Sequence, residues 1–102
     1  FGIATTTLKI DKPVIDNFIF NSIYPNPFNN STIINILSNS YDPIRLNIYD
    51  IRGNLVKTII KNDIKRDNNV IVLDLKGRSS GNYVISILSK NNFISKTVTF
   101  LK

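Results

Sequence analysis

Short apolar runs separated by clusters of turn residues make up the chain from position 17 onward. In residues 44–50, "IRLNIYD", Ile44, Leu46 and Ile48 fall on one face of an extended chain, which predicts a half-buried strand. No segment longer than a turn has a helical period. We predict seven strands, over residues 18–24, 31–37, 44–50, 55–60, 70–75, 82–88 and 93–101. Strands repeating every ~8–12 residues indicate an all-β fold, an immunoglobulin-like antiparallel β-sandwich of about seven strands.

The same alternation predicts which residues face the core and where the chain turns. Gly53-Asn54 lies between two strand patterns and predicts a hairpin, since both residues tolerate positive φ. Gly81 precedes a strand that must bring Tyr83 inward, so we expect a positive φ there. The Asn pairs at 29–30, 68–69 and 91–92 are expected in turns. The residues predicted to face inward are Leu46, Ile48, Ile71, Leu73, Tyr83, Ile85, Val98 and Phe100.

One stretch, "YPNPF" at 24–28, does not fit an ordinary strand. Neither Pro25 nor Pro27 supplies a backbone N–H, and each pushes the residue before it toward extended geometry. The segment is therefore predicted to be stiff and extended without normal pairing. It could serve recognition directly. Alternatively, Tyr24 and Phe28 plug the end of the sandwich while the prolines block pairing at its edge.

The composition supports the all-β prediction and argues against enzyme activity and metal binding. Strong helix formers are scarce, because the chain has no Glu, Gln or Met and one Ala. Without His, a serine nucleophile lacks its usual base, and without His and Cys a transition-metal site lacks its usual ligands. The acids are all Asp, mostly at strand ends or turns, and the oxygen-rich run 63–68 that calcium could use contains two cations. We predict no enzyme activity, no cofactor and no metal.

The charge and the apolar runs limit the partners. The net charge of +6 is scattered rather than gathered in a stripe, so nucleic-acid binding is not expected. No apolar run approaches the ~18 residues of a membrane-spanning helix. The chain starts at Phe1 without a Met or a signal-peptide pattern, which suggests a piece of a longer protein. We predict a linker or the tail of an upstream region over 1–17 and one domain over 18–102.

Four blocks in order carry a family resemblance: "YPNPFNNST" at 24–32, "LNIYDIRGNLVKT" at 46–58, "DLKGRSSGNYVISI" at 74–87 and "KTVTFLK" at 96–102. Together they resemble the C-terminal sorting domain of cargo proteins of the bacterial type IX secretion system. In that family a Tyr-Pro-Asn-Pro block opens the domain. A strand ending in Tyr-Asp before a Gly turn marks its middle, and a Ser-Gly-x-Tyr block and a basic strand close it. Asn82 departs from the apolar residue that the family commonly has there.

The resemblance implies a secretion signal that directs a parent cargo protein across the outer membrane of a gram-negative bacterium. It implies transit through the periplasm and then a cell-surface or secreted location. The implied partners are the type IX translocon, an outer-membrane shuttle and attachment complex with its sortase-like peptidase, and the upstream cargo. The peptidase would remove the domain during attachment to the surface. The alternative is a retained immunoglobulin-like spacer or adhesive, glycan-binding module.

Sorting information is expected at the motif residues and in the last strand. There Val98 and Phe100 would anchor the strand, leaving Lys96, Lys102 and the terminal carboxylate for a partner. The alternative is that the lysines only protect an edge strand from aggregation. The candidate recognition residues are Tyr24, Pro25, Asn26, Pro27, Phe28, Tyr49, Asp50, Gly53, Gly81, Tyr83, Lys96 and Lys102.

Overall fold

A computed structural model describes residues 18–90 and 92–102 and confirms the all-β prediction. The described residues form seven strands and no helix. The linker predicted over 1–17 lies outside the described residues. The strands are β1 (Phe18–Tyr24), β2 (Ser31–Ser38), β3 (Ile44–Asp50), β4 (Leu55–Lys61), β5 (Asp67–Asp74), β6 (Gly81–Ser89) and β7 (Asn92–Phe100).

The strands make two antiparallel sheets. Sheet A has the order β1-β2-β5, and sheet B has the order β4-β3-β6-β7. This arrangement is the immunoglobulin-like sandwich that the strand spacing predicted. On one side of the sandwich, β4 of sheet B lies beside β5 of sheet A, and the Lys57 ammonium donates to the Asp74 carbonyl across the gap at 3.1 Å.

The core lies between the sheets and follows the predicted alternation. All eight residues predicted to face inward are buried, each with 6% or less of its surface exposed. They pack in one cluster with further isoleucines and leucines of both sheets. Eight further apolar residues are buried, and three of them lie where no inward-facing strand position was expected: Phe18 at the start of β1, Phe28 in the loop after it, and Ile64 between β4 and β5. The other five are Ile34, Ile36, Ile44, Leu75 and Ile87.

The assignment of Asn68-Asn69 to a turn was wrong, because β5 begins at Asp67 rather than at Val70. Asn69 is buried and binds the chain that enters the strand. Its Oδ1 accepts from the Lys65 N–H and its Nδ2 donates to the Lys65 carbonyl, both at 2.8 Å. The side-chain amide thus replaces the ladder partners that Lys65 lacks, which lets an Asn sit at a core position. Asn29-Asn30 does lie in a bend, as predicted.

Candidate recognition site at one end of the sandwich

All the candidate recognition residues except Lys96 meet at one end of the sandwich. We call this region the motif end and define it as residues 24–28, 49–54, 79–83 and 99–102. The strand registers bring the segments together. Asp50 at the end of β3 stands opposite Tyr83, and Gly81 at the start of β6 stands opposite Phe100. Four blocks that are far apart in sequence therefore form one continuous structure.

The YPNPF segment carries the chain from sheet A to the edge of sheet B. Tyr24 still belongs to β1 and stands opposite Ile33. Phe28 forms a parallel bridge with Phe100: its N–H donates to the Thr99 carbonyl at 3.0 Å, and its carbonyl accepts from the Leu101 N–H at 2.8 Å. The Asn26 Oδ1 accepts from the Thr99 N–H at 2.9 Å. Both outward backbone groups of Thr99 are thus paired, which closes the end of an edge strand.

Side-chain packing holds this segment in place at Phe28 and leaves Tyr24 outside. The Phe28 ring is 2% exposed and lies 5.2 Å from the Phe100 ring. The buried Thr32 hydroxyl donates to the Pro25 carbonyl at 2.6 Å. Tyr24, in contrast, is 75% exposed. The proposed plug is therefore correct for Phe28 and wrong for Tyr24, because β1 ends with the Tyr24 side chain on the outer face of sheet A.

The peptide bonds Tyr24–Pro25 and Asn26–Pro27 are both cis.

The Ser-Gly-x-Tyr block forms a tyrosine corner at the start of β6. The Tyr83 hydroxyl donates to the Ser79 carbonyl at 2.6 Å, while the ring is buried 6.4 Å from that of Phe100. In immunoglobulin-like sandwiches such a tyrosine ties the start of a strand to the loop before it. Gly81 has φ of 153°, the positive value that was predicted, in a region that is essentially restricted to glycine. The hydroxyl of Ser80 also accepts from the Lys102 N–H at 2.6 Å.

Asp50 organises the turn between β3 and β4. Its Oδ1 accepts from the backbone N–H groups of Asn54 and Arg52, each at 2.9 Å, and its Oδ2 accepts from the Asn54 amide at 3.3 Å. The hydrogen bond from the Asn54 backbone is the main cause that lowers the pKa of the Asp50 carboxyl below its ordinary value. Gly53 has φ of 88°, as the hairpin prediction required, but Asn54 does not share a positive φ.

A groove of about 580 Å³ lies between this turn and the chain at 77–83. Arg52 and Arg78 line it, and the Arg78 guanidinium donates to the Val56 carbonyl at 2.9 Å across its floor. Asp50 also lines the groove, and its carboxylate accepts hydrogen bonds within its own turn. In the part of the chain that the structure describes, no three acidic, His or Cys side chains cluster as metal ligands would. Residues 18–90 and 92–102 also contain no helix with the length and apolar character to cross a membrane.

Lys96 lies away from the motif end, in the middle of β7 and opposite Ile85. Its register position is thus on the core side of an edge strand, although it is exposed. Lys57 holds the equivalent place on β4, opposite Ile48. A charge pointing inward on an edge strand discourages pairing with a foreign strand. This position agrees with the protective role for Lys96, and a role in recognition remains a prediction.

A comparison with known protein families identifies the family to which these motifs belong. The family model of the secretion system C-terminal sorting domain matches residues 22–100. The chain belongs to this family. The sorting domain is a C-terminal signal for type IX secretion, and it exports its parent to the cell surface or the medium. No curated protein matches the chain.

Sequence reasoning proposed the candidate recognition residues but missed how the fold connects them. The bond between Asn26 and Thr99 joins positions 73 residues apart and leaves no local signal. The burial of Phe28 had a signal, because an aromatic residue after two prolines lies where the chain must turn back toward β2. Thr32 and Asn69 looked like ordinary polar residues of a strand and a turn, yet both are buried.

Proposed function

We propose that the domain is a sorting signal that directs its parent cargo protein through the type IX translocon in the outer membrane. The observation that carries the proposal is the family match over residues 22–100, whose sequence blocks build a single end of the sandwich. Export by a dedicated apparatus requires a rigid and reproducible structure on otherwise different cargo proteins. The bonds between residues 26–28 and 99–101 supply that rigidity.

The route that we propose has three steps. The cargo enters the periplasm by its own signal peptide. The folded sorting domain is then handled by the translocon and by an outer-membrane shuttle and attachment complex. A sortase-like peptidase of that complex removes the domain as the cargo is attached to the cell surface.

We propose further that the domain performs no chemistry of its own. Its carboxylates are dispersed over the described surface. Asp50 accepts three hydrogen bonds within its turn, and Asp63 pairs with Lys61 at 3.3 Å. Neither is placed to exchange a proton with a bound substrate.

Export of a reporter tests the sorting signal directly. A periplasmic reporter protein is fused in front of residues 1–102 and produced in a type IX host and in the same host lacking the translocon. The reporter should reach the surface or medium only in the intact host, while the reporter alone should stay in the periplasm of both. A fusion that stays in the periplasm of the intact host, while the domain is folded, would overturn the proposal. A fusion that reaches the surface and keeps the domain attached would instead support a retained spacer.

A further inference from the structure

The two sheets differ in charge. None of the thirteen Lys and Arg residues lies in the strands of sheet A, which read FIFNSIY, STIINILS and DNNVIVLD. The strands of sheet B carry Arg45, Lys57, Lys61 and Lys96. The strands of sheet A therefore supply no cation to its outer face, on a protein of net charge +6, and Lys57 and Lys61 of β4 lie at the border of that face.

That face also exposes a row of large apolar side chains. Tyr24, Ile33 and Val72 stand opposite one another on the three neighbouring strands. Ile33 is 43% exposed and Val72 is 59% exposed, and Val70 continues the patch along β5. We call the three residues Tyr24, Ile33 and Val72 the apolar row. Exposed β-branched and aromatic residues in contact across strands form the kind of patch that marks a docking surface.

Three residues of YPNPF have bonding or packing partners at the motif end, and its tyrosine does not. Pro25 accepts from Thr32, Asn26 from Thr99, and Phe28 is packed and paired. The ring of Tyr24 projects instead onto the outer face of sheet A. An exposed tyrosine at the edge of an apolar patch is a frequent anchor in protein interfaces, because it buries a large area at little entropic cost.

We infer that the apolar row is the surface by which the domain docks on a protein of the secretion apparatus, with Tyr24 as the anchor. The inference rests on the proposed function, which requires that a protein of the secretion apparatus bind the domain. The partner surface is apolar at its centre, since the strands of sheet A offer it no cation, while Asp74 and the Lys57 ammonium lie together at the rim of the patch.

Charge and size distinguish this occupant from two others. An anionic membrane would find no attractive charge on strands that carry no Lys or Arg. A second copy is disfavoured by the size of the face. Three strands about 4.8 Å apart and about 25 Å long give a footprint on the order of 400 Å². A stable protein interface needs about 800 Å² per partner. The face therefore suits a weak contact that forms and releases during transport.

The test replaces the apolar row without disturbing the sheet. Tyr24→Thr, Ile33→Thr and Val72→Thr are combined in the reporter fused to residues 1–102, because threonine suits an exposed strand position. The matched control combines Tyr41→Thr, Leu55→Thr and Phe93→Thr, which removes three similarly exposed apolar side chains elsewhere. Circular dichroism and urea unfolding check that both variants fold, and sedimentation checks for self-association.

The row variant should be folded and exported at least about tenfold more slowly than the parent fusion, while the control is exported normally. Normal export of the folded row variant would overturn the inference and leave the proposed function intact. Equal loss in both variants, or a parent domain that dimerises through the row, would also overturn it. If the unmodified fusion itself is not exported, the proposed function has failed rather than the docking surface.

Discussion

The motif end and the outer face of sheet A touch at Tyr24, yet they are built in opposite ways. At the motif end, polar groups from separate segments have partners inside the chain: Thr99 with Asn26 and Phe28, Tyr83 with Ser79, and Asp50 with its own turn. On the outer face of sheet A, the apolar row has no partner among the described residues. One region satisfies its own bonds, and the other leaves apolar surface in water.

The difference separates two uses of a sequence motif. Residues 25–28 and 79–83 specify the fold, because they fasten the last strand and start the strand beside it. The apolar row has no sequence signature beyond Tyr24, since Ile33 and Val72 are ordinary strand residues. A family motif therefore indicates which residues stabilise a domain at least as much as which surface a partner binds.

The largest effect should come from the buried ring at the motif end. Phe28→Ala removes the ring that packs on Phe100 and leaves a cavity, so the free energy of unfolding should fall by ~3–5 kcal/mol. Urea unfolding of residues 1–102 measures it. Tyr24→Ala is the control from the same segment and should cost less than about 1 kcal/mol, because its ring is exposed. Similar losses in the free energy of unfolding for Phe28→Ala and Tyr24→Ala would show that the buried ring and the exposed ring contribute equally to stability.

The backbone at Gly81 should give the next largest effect. A Cβ at Gly81 would meet no atom within 4 Å, so any cost of Gly81→Val comes from the backbone conformation at φ of 153°. We expect a loss of ~1–3 kcal/mol in the free energy of unfolding. Gly81→Ala should lose stability for the same reason. A loss below ~0.5 kcal/mol in both would show that this position does not need glycine.

A smaller loss is expected from the tyrosine corner. Tyr83→Phe keeps the buried ring and deletes the hydroxyl that donates to Ser79, which should cost about 0.5–1.5 kcal/mol. Tyr49→Phe is the control, because Tyr49 lies on the outer face of β3 and has no such bond to lose. Thermal or urea unfolding measures both variants. A larger loss in the free energy of unfolding for Tyr49→Phe than for Tyr83→Phe would contradict a stabilising tyrosine corner.

The smallest effect on stability should come from the basic residues of the last strand. Lys96→Ala with Lys102→Ala should change the free energy of unfolding by less than ~0.5 kcal/mol, since both side chains are exposed. Our hypothesis is that the pair nevertheless slows export of the reporter. Normal export of the folded double variant would leave Lys96 only the role of protecting the β7 edge from aggregation. It would also remove Lys102 from the recognition site.

Alternation along each strand was enough to predict the sandwich and its core, because burial on one face imposes a period of two. It predicted Ile48 and Leu73 correctly for that reason. It could not predict the role of Asn69, whose amide replaces lost backbone bonds at a site that only the fold creates. The candidate site was predicted as separate blocks, since strand registers such as Gly81 opposite Phe100 join residues that sequence keeps apart.

Export per folded molecule separates the two regions, since we infer that the motif end stabilises the fold and that the apolar row binds the partner. Two reporter fusions are compared, one with Asn26→Ala, which removes the bond to Thr99, and one with the three threonine substitutions of the apolar row. We expect the Asn26→Ala fusion to lose export only in proportion to its loss of folded protein. The row variant should lose export while remaining folded. The reverse pattern, with normal export per folded molecule for the row variant and a specific loss for Asn26→Ala, would show that the partner binds the motif end and not the apolar row.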